Sequence, residues 1–116
     1  MKDVFRIFGS HGYQVTRQTK YVIEFDRGLG SEAVYVKANL ASGLPFHIVL
    51  HPTGDHSRIS ALPGVQSQPG KRYFNSNMGR FPKMRNRGKN DISFGFPITA
   101  DSMSALDAVL LEMARA

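Results

Sequence analysis

The residues of this 116-residue chain that could do chemistry are a dense run of cations and four histidines. From His56 to Asn90 there is no acidic residue, while Arg58, Lys71, Arg72, Arg80, Lys83, Arg85, Arg87 and Lys89 supply eight positive charges. The other seven of the 15 Lys and Arg stand against all nine Asp and Glu, so a segment of +8 is joined to a scaffold of −2, which gives the net +6. Clustered Lys and Arg gain free energy by displacing counterions from phosphates, and the first partner implied is a polyanion. Within 71–89 the cations are interleaved with Tyr73, Phe74 and Phe81 and with the amides of Asn75, Asn77 and Asn86. Such a set suits RNA or DNA, since cations neutralise phosphates, rings stack on unpaired bases and amides bond sugar or base edges. Lys83, Arg85, Arg87 and Lys89 alternate with Met84, Asn86 and Gly88. In an extended backbone these four share one face at ~6–7 Å intervals, a spacing that can follow a phosphate backbone. The expected contact residues are therefore Lys71, Arg72, Arg80, Lys83, Arg85, Arg87 and Lys89, with Phe81-Pro82 as an anchor for the segment. The competing reading makes the run a solvated surface whose aromatic residues plug into the core.

The histidines offer weaker chemistry. His47 and His51 are four residues apart, which suits a shared metal on a helix, but their segment reads as a strand and separates them by ~13 Å. His51, Asp55 and His56 bracket the turn Pro52-Thr53-Gly54, and a divalent ion could use such a set, yet loop histidines without that role are far commoner. A nuclease core needs carboxylates spaced for Mg²⁺, ideally followed two residues on by Lys. Instead, Glu32 and Lys37 fall on opposite sides of their strand. The chain has no Gly-x-Ser-x-Gly elbow and no phosphate-cradling P-loop, and Gly28-x-Gly30 lacks the third glycine of a dinucleotide fingerprint. With no cysteine there is no thiolate nucleophile and no Cys-ligated metal. The expectation is no catalytic residue, no metal and no cofactor.

The elements that must position these residues follow from periodicity. Val4, Phe5, Ile7 and Phe8 mark an amphipathic first helix over residues 2–11, stopped by Gly9 and Gly12. Tyr13–Arg17 and Lys20–Asp26 read as a hairpin, Glu32–Lys37 as a third strand and Pro45–His51 as a fourth, apolar at its centre and so interior. From Pro52 the chain is broken by Pro and Gly, and 52–90 reads as a basic loop excursion of the length that binding loops and lids have. Asp91–Ile98 alternates as a half-buried strand that Pro97 should end or confine to an edge. Met103, Leu106, Val109, Leu110 and Met113 form the stripe of a C-terminal helix, with Thr99, Asp101 or Ser102 as its N-cap. The expected fold is α+β, one domain over 1–116, with an antiparallel sheet of about four to five strands packed against an N-terminal and a C-terminal helix. The N-terminal stretch is too polar for a signal peptide and no apolar run could span a membrane. The chain is accordingly expected to be cytoplasmic, with no membrane partner.

The opening, with its short helix, the turn Gly9-Ser10-His11-Gly12-Tyr13 and then Val15-x-Arg17-Gln18 leading into a hairpin, resembles the start of small proteins with a double-stranded-RNA-binding-domain fold, including some mRNA-interferase toxins. About a quarter of the chain carries this resemblance, and in style the whole is similar to many small bacterial proteins. Where the toxins place a histidine at the start of the second strand this chain has Lys20-Tyr21, so their catalytic residue has no counterpart. The resemblance thus implies binding rather than cleavage. The leading expectation is a non-enzymatic nucleic-acid-binding module that uses residues 71–89 as its phosphate-contact surface. Two alternatives stay open, an RNA- or DNA-processing enzyme with His51 or His56 as acid–base and an interaction module for an acidic protein partner.

Overall fold

Phe8 stacks on Phe25 with ring centroids 4.0 Å apart, and this pair joins the first helix to the second strand. The computed structural model describes residues 2–28, 32–38, 44–53, 55–68, 70–85, 88 and 90–114. In chain order the elements are α1 (Lys2–Ser10), β1 (Gln14–Gln18), β2 (Val22–Asp26), β3 (Val34–Lys37), β4 (Phe46–Leu50), α2 (Ser57–Ser60), β5 (Val65–Ser67), β6 (Tyr73–Phe74), β7 (Lys83–Arg85), β8 (Asp91–Ala100) and α3 (Met103–Ala114). The fold is α+β, an antiparallel sheet with a helix from each end of the chain. Among the described residues the sheet has eight strands, more than the four to five expected. The additional strands are β5, β6 and β7, all inside the segment read as a loop excursion. At two or three residues each they are too short to show periodicity in sequence, and they become strands only through the ladder that β8 offers them.

The helices and the sheet close one core by alternation. Ile23 and Phe25, Val34 and Val36, Phe46 and Ile48, Ile98 and Ala100 point to the helical side, where Val4, Ile7 and Phe8 of α1 and Leu106, Val109 and Leu110 of α3 meet them. α1 continues through Gly9 and ends at Ser10, and Gly12, two residues beyond, has a φ of +84° that suits a residue without Cβ. α3 begins at Ser102, whose hydroxyl accepts the Ala105 N–H at 3.0 Å as an N-cap. Among the described residues no helix is long and apolar enough to cross a membrane.

β8 runs on past Pro97 to Ala100 as an interior strand, contrary to the sequence expectation. Its outer half pairs with β4 and β5, its beginning with β6 and β7. β5 ends opposite Ile98 and β6 starts opposite Gly95, so no strand stands beside Pro97 on that side. The carbonyl of Ser93 turns to that side too, accepting the Asn75 N–H at 3.0 Å, and residues two and four further along β8 share its orientation. The missing proline N–H therefore falls in a gap between two strands and leaves no ladder acceptor unsatisfied.

A second apolar cluster lies on the face away from the helices. Val22, Tyr35 and Val49 form its floor, and Met78 and Phe81, from the basic segment, are seated on it. Phe81 meets Tyr35 edge-on at 4.8 Å. Two consecutive turns give the segment its curvature, with the Met78 N–H donating to the Asn75 carbonyl and the Phe81 N–H to the Met78 carbonyl. Gly95 makes this approach possible, because a Cβ there would come within 2.9 Å of the Phe81 ring and 2.8 Å of the Leu50 carbonyl oxygen. Gly95→Ala is expected to destabilise the protein by about 1–3 kcal/mol through overpacking, read as a lower urea midpoint at unchanged m-value; an unshifted midpoint would show that Phe81 is not tightly seated.

Candidate nucleic-acid interface

The basic segment is held to the sheet by a polar network as well as by Met78 and Phe81. Glu24, 6% exposed, accepts the Thr16 hydroxyl at 2.6 Å and the Tyr35 hydroxyl at 2.5 Å. The Tyr35 oxygen in turn accepts the Arg80 N–H at 3.1 Å, so a β2 carboxylate, a β3 phenol and the loop backbone form one chain of hydrogen bonds. Burial raises the Tyr35 hydroxyl well above the ordinary tyrosine range, and its bond to Glu24 raises it further. The guanidinium of Arg80 donates to the Asp26 carboxylate, an interaction that holds Arg80 more firmly protonated.

With the segment so placed, a cleft of about 470 Å³ opens between the outer face of the sheet and Gln68, Lys71, Arg72 and Tyr73. Its floor is a row across three strands, because His47 is in register with Thr99 and Thr99 with Gln66. Directly opposed residues share a face, so the row points away from the helices. Val36 pairs with Ile48, which sets the next residue, Lys37, beside His47 at the end of this row. Lys71, Arg72 and Tyr73 line the other side. The Lys37 ammonium lies 4.1 Å from the centre of the Tyr73 ring, a cation–π contact. Among the described residues no carboxylate lines the cleft or pairs with Lys37, Lys71 or Arg72. Burial lowers the pKa of Lys37, and the like charge of Lys71 lowers it further. Burial, with Lys37 as a second cause, pushes His47 below the usual histidine range, so its ring is neutral near pH 7. The arrangement is a cationic site with unspent charge, and an anion would relieve it.

The sequence-predicted contacts divide among three places. Lys71 and Arg72 are exposed and line the cleft, but the Arg72 guanidinium lies 5.9 Å from the ring of Phe94, which alternates onto the same face of β8 as Ile98. Lys83 and Arg85 are exposed on β7 with Met84 half-buried between them, the alternation that an extended backbone demands. Arg80 is exposed but its charge is engaged by Asp26. Arg87 and Lys89 lie outside the described residues. Lys37 and His47 were missed. Each alternates with buried apolar neighbours at a strand end, a pattern that marks only a residue on the far face.

The loop histidines are engaged within their own turn. His51 Nδ1 accepts the Thr53 N–H at 3.2 Å and has the Thr53 hydroxyl at 2.7 Å. His56 Nε2 donates to the His51 carbonyl at 2.7 Å while its ring stacks on Phe96. Asp55 accepts the Ser57 N–H, and bonding to Ser57 holds its carboxyl below the usual range. Among the described residues no group of three or more His, Asp or Glu could hold a metal ion.

Comparison with protein-family models and with curated protein sequences gave no match, so the functional reading rests on the geometry of the site. The Tyr35 network supplies a pH prediction. A phenol whose folded pKa is raised stabilises fully below the unfolded value of about 10 and loses that contribution as pH rises through the folded one. The urea midpoint is expected to fall as pH rises above about 10, and to fall less steeply in Tyr35→Phe. At neutral pH that variant should already be weaker by about 1–3 kcal/mol, since Glu24 and the Arg80 N–H each lose a partner; identical pH profiles for the two proteins would contradict the assignment.

Proposed function

We propose that the chain is a non-enzymatic, cytoplasmic nucleic-acid-binding module whose contact surface is the outer face of the sheet and the basic segment folded on it. One observation carries this reading. Lys37, Lys71 and Arg72 line a single cleft, the like charge of Lys71 bears on Lys37, and none of the three has a described carboxylate as partner. Phosphate is the common biological anion that converging Lys and Arg recognise through charge and hydrogen bonds together. Lys83 and Arg85 add exposed cations on β7, and Arg87 and Lys89 continue the same alternation in the sequence. Arg80, although in the same segment, is assigned to holding the fold through Asp26 rather than to the ligand.

The test is binding of the nuclease-treated protein to labelled single- and double-stranded RNA and DNA over a series of salt concentrations. The logarithm of the affinity is expected to fall linearly with the logarithm of salt. The Lys71→Ala/Arg72→Ala and Lys83→Ala/Arg85→Ala pairs should each reduce the slope by about 1–2, whereas Arg80→Ala leaves it nearly unchanged. Salt-independent binding, or none to any of the four, would overturn the reading, and capture of an acidic protein in place of nucleic acid would replace it.

A further inference from the structure

We infer that the cleft floored by His47, Thr99 and Gln66 is the seat of a single nucleotide carrying a terminal phosphate monoester, an inference that rests on the nucleic-acid reading above. Size is the first argument. At about 470 Å³ the cleft falls in the range of sites that take one small ligand, room for one nucleotide rather than for a length of strand.

Charge is the second. An internal phosphodiester carries one negative charge, whereas a phosphate monoester carries about 1.5 to 2 at pH 7. Lys37 and Lys71 are together more cations than one diester needs, and their closeness is electrostatically unfavourable until a dianion enters between them. Polar partners form the third argument. His47 is neutral near pH 7, and neither ring nitrogen bonds a described residue, which leaves one donor and one acceptor beside the cations for a sugar hydroxyl or base edge. Gln66 and Thr99 continue this neutral row across the floor.

The position of β7 accounts for the rest of the strand. Lys83 is in register with Ser93, and Ser93 shares the outer face with Thr99 six residues further along β8. That separation is about 20 Å, close to three nucleotide steps at ~6–7 Å each. Phe81 and Met78 cover the face of β8 between these points, and a strand whose end sits in the cleft passes over that seated segment to bring its following phosphates to Lys83 and Arg85.

The experiment compares one short single strand prepared with a 5′-phosphate, a 3′-phosphate or hydroxyls at both ends, against the wild type, Lys71→Ala and Lys37→Met. One phosphorylated end is expected to bind about tenfold or more tightly than the hydroxyl form, and the end that gains identifies the polarity of the strand. A free mononucleotide should compete that gain away. Lys71→Ala, at an exposed position, should abolish the preference at an unchanged thermal midpoint while salt-dependent binding of the hydroxyl-ended strand persists through β7. Equal affinity for all three strands would overturn the inference and leave the binding reading in place, as would a preference that survives both substitutions. Failure of every strand to bind would overturn the reading and the inference together.

Discussion

Phe81 and Met78, pressed onto Tyr35 and Val49 across the space that Gly95 leaves open, are the contact on which the rest of the molecule's outer face depends. Helices α1 and α3 cover only one side of the sheet, and the other side carries Val22, Tyr35 and Val49, which water would otherwise reach. Burying two large apolar side chains there is worth several kcal/mol in area terms, enough to fold a segment whose own strands are too short to persist alone. The Glu24–Tyr35–Arg80 chain then determines where the segment lies, because a buried carboxylate is stable only while its donors are in place.

This packing has an electrostatic consequence. Seating a cation-rich segment on a sheet that already presents Lys37 brings like charges together, which opposes folding. One cation of the segment, Arg80, is neutralised by Asp26 on β2. Lys71, Arg72, Lys83 and Arg85 have no carboxylate partner among the described residues. The apolar seat thus holds in place a positive potential that no described carboxylate cancels, a condition that favours anions near it. Paired and unpaired cations have identical chemistry, and only their neighbours distinguish them.

β8 links the two roles. Its ten residues pair with four strands, and its alternate positions serve opposite purposes. Ile98 and Ala100 close the helical core, while Gly95 admits Phe81 and Thr99 floors the cleft. Pro97 is tolerated in so central a strand because its missing donor faces the gap between β5 and β6.

Much of this was legible in the sequence. The amphipathic stripe of α3, the alternation of Ile92, Phe94 and Phe96, and the apolar centre of β4 each follow from local periodicity, since burial on one face repeats at 2.0 or 3.6 residues. The +8 segment and the one-sided spacing of Lys83 and Arg85 were readable for the same reason, and β7 has the extended form that spacing calls for. Three short strands were not, because two or three residues hold no period and their ladder partner is up to 35 residues away, as for Val65 and Ala100. Nor was the cleft, whose cations come from β3 and from the segment before β6. By itself the sequence determined the α+β class, the helical core and the sign of the charge. Only the tertiary structure decided which cations line the cleft and which face a carboxylate, because that depends on which side of the sheet a distant segment is buried against.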